Sequence, residues 1–335
     1  MATPYAATAA DHEMLEWLGG GMMQVLLDGT RTDGRLAMFR SAAPAGAASP
    51  AHLHTREDEI FVLLRGSAII WVGAERFELD AGGVAFLPRG VPHAYRITAE
   101  ADLLALSTPA GLEGFFRGAG RDARTPRPKG WEITPQTMGE AAAGNGQVVL
   151  GPPLCPDDLL PAYSGTPDLA PHVARADQHE ILEWLGGSRI HVLLDEEHTG
   201  GRLSLFRSTD APAGSASPVY VQHHEDEIVV MLSGSGTYWV GDHRYELSPG
   251  GVVVIPRGVP TAHRITADAE TLTVTTPGGA EAFYRAAGRD VRLPRPDGWE
   301  VPFDALTRAS EAAGQTILAA PLAAHEMIPE ELLVR

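Results

Sequence analysis

Three histidines and one glutamate are spaced so that they could bind a single metal ion. His52 and His54 are two residues apart, Glu59 follows shortly after them, and His93 lies in a later segment. Because successive side chains of a β-strand point to opposite faces, His52 and His54 share a face if their segment is a strand. Imidazole and carboxylate are ligands that first-row divalent metals accept. The four side chains therefore predict a transition-metal site with coordination positions left for a substrate.

Glycines and prolines around these residues predict the short strands and turns that would bring the ligands together. The polar turn Thr55–Asp58 separates the His52–His54 segment from the apolar run Glu59–Leu64. Further along, Gly82–His93 predicts a glycine turn, a short apolar strand, a second turn at Pro88–Gly90 and then the last histidine. The ligands would thus come from three separate strands.

The chain consists of two related halves. Asp11–Asp28 returns as Gln178–Asp195, and Ser107–Glu132 returns as Thr275–Glu300. The offset between the halves is 167 residues and becomes 168 after an insertion near Asp210. Repeats of this length are far longer than those of a solenoid, so they predict a duplicated domain.

Each half contains many short apolar runs split by Gly, Pro and Asp, which favours antiparallel strands joined by tight turns. We predict an N-terminal domain at residues 1–154, a proline-rich linker at residues 155–177 and a C-terminal domain at residues 178–335. Eight or so strands folded as a double sheet form a jelly roll. The predicted class is all-β with a few short helices, among them Leu112–Gly118 and Gln136–Ala143.

The composition is that of an acidic globular protein. Apolar residues make up 44% of the chain, charged residues make up 21%, and the formal net charge is −17. Such a charge repels phosphate backbones and anionic lipid, so neither nucleic acid nor membrane is an expected partner. The single cysteine, Cys155, allows no intramolecular disulfide. No signal peptide or membrane-spanning run is evident, which predicts a cytoplasmic protein.

Two motifs resemble the two-part signature of the cupin superfamily. The pattern H-x-H-x4-E-x6-G spans His52–Gly66, and the pattern G-x5-P-x-G-x2-H spans Gly82–His93. The resemblance implies a duplicated cupin fold, or bicupin, in which each half is a double-stranded β-helix. It also implies one divalent transition metal (Fe, Ni, Mn, Co, Cu or Zn) held by the side chains His52, His54, Glu59 and His93.

The second half has lost most of these ligands. Tyr220 is equivalent to His52, Gln222 to His54, Glu227 to Glu59 and Thr261 to His93. A single carboxylate with a phenol, an amide and a hydroxyl is a poor site for a transition metal. We therefore predict one metal per chain, in the first barrel. Two alternatives stay open for the second barrel: a buried hydrogen-bond network that fills the vacated cavity, or a metal-free binding pocket, with His263 on the same strand face as Thr261.

Among two-copy cupins, the chain resembles the quercetin 2,3-dioxygenase group over nearly its whole length. The resemblance rests on the ligand set, on Phe61 two residues after the glutamate, and on the segments Thr108–Phe116 and Thr276–Tyr284. It implies that a small-molecule substrate, an aromatic, polyphenol or polyketide-like compound, is oxidised or ring-cleaved by dioxygen in the first barrel. Glu59 would take the proton from the substrate hydroxyl.

Apolar side chains near the ligands predict a largely dry substrate pocket that suits a flat molecule. The candidates are Phe61, Leu63, Tyr95 and Phe116. Plain barrel core is an equal explanation for any one of them. Two other functions stay open: a non-oxidative metal-dependent cyclase or isomerase in natural-product biosynthesis, and a metal-binding cupin that binds a ligand without catalysis. Oxalate decarboxylases usually keep ligands in both halves, so the bare second half argues against them. The sequence leaves a homodimer open.

Overall fold

The computed structural model describes residues 3–162, 165 and 167–333, and the chain forms two compact units. The first unit comprises His12–Gln178. The second unit combines the described residues up to Asp11 with those from His179 onwards. Each unit is built on one eleven-stranded sheet whose strand pairs are antiparallel, so the predicted all-β class is confirmed.

Among its described residues, the first unit contains strands β2 to β12, three short α-helices and two 3₁₀ turns at Leu18–Gly20 and Ala176–Gln178. Its strands are β2 (Glu13–Glu16), β3 (Met22–Leu27), β4 (Ala37–Ala43), β5 (Pro50–His54), β6 (Asp58–Val72), β7 (Glu75–Asp80), β8 (Val84–Leu87), β9 (His93–Thr108), β10 (Arg121–Asp122), β11 (Gln147–Pro153) and β12 (His172–Ala174). Its helices are α1 (Gly29–Thr32), α2 (Leu112–Ala119) and α3 (Pro135–Gly144).

Two long strands, β6 and β9, form the centre of this sheet. The order is β10-β2-β3-β4-β9-β6-β8-β12, while β5 pairs with β9 and β11, and β7 pairs with β6. The runs Glu59–Leu64 and Ser67–Val72 belong to one continuous strand, because the ladder passes through register shifts near Gly66 without ending. Shifts of this kind bend a strand sharply, so β6 can follow the bend and stay paired with β9 on both sides of it.

Gly66 shows why this bend needs glycine. Its φ is +85°, a region that side chains rarely adopt. A Cβ atom at this position would also lie far inside van der Waals contact with the carbonyl oxygen of Glu100 on β9. Position 66 is therefore restricted both by backbone strain and by the neighbouring strand.

We expect Gly66→Ala to destabilise the first unit by roughly 3 kcal/mol or more, since left-handed strain and a backbone clash add together. Gly46→Ala is the matched control: Gly46 has a φ of +90° but no atom within 4 Å of the added carbon. That variant should lose only about 1–2 kcal/mol. Urea denaturation of both variants measures the difference, and equal losses would contradict the steric explanation.

The interior of the first unit is packed with large apolar side chains. Phe39, Trp71 and Phe86 are among its fully buried residues. Helix α2 covers the interior with its buried face, which includes Phe115 and Phe116. Across the part of the chain that the structure describes, no helix combines the length and apolar character needed to cross a membrane.

The second unit repeats this arrangement with strand β1 and strands β13 to β22. They are β1 (Tyr5–Ala7), β13 (Glu180–Glu183), β14 (Arg189–Leu194), β15 (Ser204–Ala211), β16 (Val219–Gln222), β17 (Asp226–Val240), β18 (His243–Leu247), β19 (Val252–Ile255), β20 (Thr261–Thr276), β21 (Arg289–Asp290) and β22 (Gln315–Ala319). Its helices are α4 (Glu196–Thr199), α5 (Glu281–Ala287), α6 (Phe303–Ala312) and α7 (Glu330–Leu333).

The first strand of each repeat lies in the sheet formed by the rest of the other repeat. Strand β12 pairs with β8 of the first unit, with His172 opposite Phe86. Strand β1 pairs with β19 of the second unit, with Tyr5 opposite Val254. The units therefore differ from the predicted domain bounds: the segment up to Asp11 lies with the second unit, and residues 155–177 include a strand of the first.

Candidate metal centre

Strands β5, β6 and β9 bring the four predicted ligands together. One potential ligand atom from each side chain lies within 4.8 Å of the corresponding atoms of the other three. His52 and His93 face each other across the pair formed by β5 and β9. Glu59 is the second residue of β6. Its side chain is buried, as are those of His54 and His93.

Backbone carbonyl groups orient two of the imidazole rings. His52 Nδ1 lies 2.8 Å from the carbonyl oxygen of Pro50, and His93 Nδ1 lies 2.9 Å from that of Val91. A ring that donates from Nδ1 keeps its Nε2 lone pair free for a metal. Both rings therefore present Nε2 to the centre of the cluster.

Glu57 lies beside the third ring, a position that was not predicted. Its Oε2 lies 3.8 Å from Nδ1 of His54, on the side of the ring away from Glu59. The sequence placed Glu57 in a polar turn, but its side chain is buried, against the backbone of Gly111. One signal was available, since both repeats have glutamate at this position, Glu57 and Glu225.

The buried atoms at the centre of the cluster have no hydrogen-bond partner. This holds for Nε2 of His54, Nε2 of His93 and Oε2 of Glu59. Oε2 of Glu59 lies 3.3 Å from Nε2 of His54 and 3.2 Å from Nε2 of His93. Leaving such groups unsatisfied is costly, and a divalent cation bound between them would satisfy all of them. The four side chains therefore fit a transition metal.

The environment sets different protonation states for these groups in the absence of metal. Burial and the neighbouring His93 and His54 rings hold the pKa of His52 well below its ordinary value. Burial also opposes the charged form of His54, but Glu57 and Glu59 outweigh it and raise the pKa of His54 to about 9. Since only the neutral ring binds a metal, His54 must release a proton when the site is loaded.

The ligands open onto a cavity with aromatic walls. Its empty volume is about 860 Å³, including solvent at the mouth. The predicted pocket residues Phe61, Tyr95 and Phe116 line this cavity, and the rings of Phe61 and Tyr95 meet edge to face at 5.5 Å. The lining also includes residues that no sequence motif indicated: Trp17, Met23, Leu103, Met138, Gln147 and Val149.

Leu63 lies outside this lining, although it was predicted to face the pocket. Its side chain is fully buried within the apolar core of the first unit. The alternation of the strand does place Leu63 on the same face as Phe61. Leu63 lies two residues further than Phe61 from Glu59 along β6, where packed side chains fill the interior. Its side chain therefore points the same way as that of Phe61 but lies too deep in the core to reach the cavity.

The corresponding residues of the second unit bind one another. The Tyr220 hydroxyl and the Gln222 amide both donate to Oε2 of Glu227, each at 2.9 Å. The Thr261 hydroxyl donates to the carbonyl oxygen of Trp239 at 2.7 Å. Among the described residues, the first-unit cluster is the only group of three or more His, Cys, Asp or Glu side chains placed to hold a metal.

We expect Glu227 to make the second unit less stable as the pH rises from about 4.5 to about 7. Burial raises the pKa of Glu227 to about 7 in the folded chain, so the folded state retains a proton that the unfolded state releases. Each pH unit in this range lowers the free energy of unfolding by about 1.4 kcal/mol, so the total loss is about 3 kcal/mol. Denaturation of the wild type and of Glu227→Gln at several pH values measures it. A stability difference between the two proteins that does not change with pH would contradict this assignment.

Comparisons with known proteins agree with this architecture. A family profile described as "Cupin domain" matches residues 39–109 and again residues 206–276. The first match runs from β4 to the end of β9 and so includes the three ligand-bearing strands. Quercetin 2,3-dioxygenase from Bacillus subtilis (strain 168) is 24% identical over 293 residues, which cover 85% of this chain and 86% of that protein.

Solved structures share the fold at low sequence identity. The formate complex of Lactobacillus farciminis oxalate decarboxylase has a TM-score of 0.60 and 13% identity, and the alignment covers 83% of this chain and 88% of that one. A mutant of Bacillus subtilis oxalate decarboxylase has a TM-score of 0.61 and 16% identity, with 88% and 82% covered. The repeated family match and the shared two-unit fold show that this chain is a bicupin, with one cupin domain in each half.

Proposed function

We propose that this bicupin is a metal-dependent dioxygenase that oxidises or ring-cleaves an aromatic, polyphenol or polyketide-like substrate in its first unit. One observation carries the proposal: the buried ligand cluster opens onto an aromatic cavity, and the described residues of its lining include no lysine or arginine. A flat, largely apolar molecule suits such a cavity.

The same lining argues against a small dianion such as oxalate. A doubly charged acid taken out of water needs cationic or hydrogen-bonding partners for both carboxylates. Around the ligand cluster the walls instead supply Phe61, Leu103, Phe115 and Phe116. The likeness to quercetin 2,3-dioxygenase over most of both chains supports the aromatic substrate, whereas the oxalate decarboxylases resemble this chain in fold.

The residues of the first unit have distinct roles in this proposal. His52, His54, Glu59 and His93 would hold the metal, which supplies a Lewis acid for a substrate oxyanion when bound. Glu59 accepts the proton of the substrate hydroxyl, because it is the one carboxylate among the described lining residues of the cavity. Phe61, Tyr95 and Phe116 position the ring and exclude water.

Oxygen consumption tests this proposal most simply. Metal-loaded protein is mixed with quercetin and, separately, with other flat polyphenols in an oxygen-electrode cell. We expect uptake of one dioxygen per substrate consumed, with both atoms of labelled dioxygen recovered in products. His54→Ala should show no uptake, and Gln222→Ala, at the equivalent position of the second unit, should behave like wild type.

Two other outcomes would overturn the proposal. Conversion of the substrate without oxygen uptake would identify a non-oxidative cyclase or isomerase that uses the same ligands. Tight binding of polyphenols without conversion, in protein that retains its metal, would identify a ligand-binding cupin.

A further inference from the structure

The second unit keeps an open interior although it lacks the metal ligands. Two adjoining cavities share the lining residues Trp184, Leu185, Glu227, His263 and Tyr284. Their empty volumes are about 520 and 700 Å³, including solvent at the openings. A site that had only lost its metal could close by packing larger side chains into the space. The hydrogen bonds around Glu227 therefore occupy only part of the interior.

The aromatic wall of the first unit is retained in the second. In the first unit the ring centroid of Trp17 lies 4.8 Å from that of Phe116. In the second unit the ring centroid of Trp184 lies 5.0 Å from that of Tyr284, at a similar edge-to-face angle. Phe283 adds a third ring, 5.2 Å from Trp184. This wall can hold a planar ring by the offset and edge-to-face contacts that aromatic groups prefer.

Other interior positions are more polar than in the first unit. Thr271 and Thr273 stand where the first unit has Leu103 and Ala105. His263 replaces Tyr95, and burial lowers the pKa of His263 to about 4, so its ring is neutral at pH 7. These hydroxyl and imidazole groups can form hydrogen bonds with a ligand. Because they are neutral, they do not favour a charged ligand.

Gln222 lines this interior and carries an acceptor without a hydrogen-bond partner. Its side chain is 6% exposed and lines the cavity. Its amide nitrogen donates to Glu227, but its Oε1 is buried without a hydrogen-bond partner. An unpaired buried carbonyl is unfavourable, so the site is complete only when a donor reaches Oε1. The second unit thus offers an acceptor for an O–H or N–H group.

We propose that the second unit binds a neutral hydroxylated aromatic molecule without a metal. Its hydroxyl donates to Oε1 of Gln222, and its ring packs against Trp184 and Tyr284. Anions are disfavoured because the described linings of both cavities hold no lysine or arginine to compensate a buried negative charge. This site is independent of the reaction proposed for the first unit.

Titration calorimetry with 2-naphthol tests this proposal on the full, metal-loaded chain. The probe is planar, neutral at pH 7 and carries one hydroxyl. Gln222→Leu should weaken one 2-naphthol site about tenfold or more, since a donor would meet an apolar group. His54→Leu, the substitution at the equivalent first-unit position, should leave that site unchanged. If Gln222→Leu fails to fold, His263→Phe replaces it. This substitution keeps a ring near Tyr238, whose centroid lies 5.6 Å from that of His263, but removes the imidazole hydrogen-bonding groups from the lining, so it should weaken the same site.

Two related probes test the chemical class. Naphthalene, which lacks the hydroxyl, and 2-naphthoate, which carries a negative charge, should both bind this site at least tenfold more weakly than 2-naphthol. The proposal is overturned if folded Gln222→Leu and His263→Phe bind 2-naphthol as the wild type does. It is also overturned if only His54→Leu loses binding, or if 2-naphthoate binds as tightly as 2-naphthol.

Discussion

Glu59→Gln protein that has been reloaded with metal is expected to turn over substrate about 10²–10⁴-fold more slowly than wild type, the usual contribution of a general base. The glutamine keeps the shape of the side chain and an oxygen that can face a metal, but it cannot accept the substrate proton. Among the described lining residues no other carboxylate is available, because Glu57 lies behind the His54 ring. Steady-state turnover at a verified metal content measures the effect.

Two controls separate the loss of a base from the loss of the metal. His52→Ala and His93→Ala should lose activity together with the metal, in proportion to it. Glu227→Gln changes the equivalent residue of the second unit and should leave turnover in the first unit unchanged. Near-normal turnover by metal-replete Glu59→Gln would refute the base assignment and favour a mechanism in which the metal acts alone.

Glu57→Ala is expected to weaken metal binding about 10- to 100-fold, the usual cost of removing a group that orients a metal-binding histidine. Oε2 of Glu57 lies 3.8 Å from Nδ1 of His54, beyond hydrogen-bond distance, so its effect is electrostatic: a carboxylate at this place favours the proton on Nδ1 and leaves Nε2 for a metal. Competition with a chelator measures the affinity. Turnover at saturating metal should stay close to that of wild type, because Glu57 does not line the substrate cavity.

Glu225→Ala is the matched control for this variant, since Glu225 is the buried equivalent of Glu57 in the second unit. It should leave metal affinity unchanged. An unchanged affinity in Glu57→Ala, or an equal loss in Glu225→Ala, would mean that Glu57 has a purely structural role.

The ligand set was predictable because its spacing matches the two cupin motifs, although the ligands come from three strands. Strand alternation places His52 and His54 on one face, and the glycine and proline turns return His93 to the pair. The sequence could not predict burial depth in the same way. Phe61 and Leu63 have the same strand parity, yet Phe61 lines the cavity and Leu63 belongs to the closed core.

The pairing of the short outer strands could not be predicted from the sequence either. Tyr5–Ala7 and His172–Ala174 are each three residues long, which is too short for a hydrophobic period to indicate a partner. Their partners are chosen by tertiary position, β19 for the first and β8 for the second. Similarly, Glu57 is buried next to the distant Gly111, where an added Cβ would lie 2.7 Å from Oε1 of Glu57, and no local pattern indicates this neighbour.

Elemental analysis after washing with a weak chelator tests most directly the claim that this bicupin has one metal centre, in its first unit. We expect one transition metal per chain in the wild type and in Gln222→Ala, and none in His54→Ala, at the equivalent first-unit position. The reason is that the described structure gathers four ligand side chains in the first unit and directs the corresponding second-unit side chains to hydrogen bonds instead. Two metals per chain in the wild type, or a metal retained by His54→Ala but lost from Gln222→Ala, would show that the metal centre is not confined to the first unit.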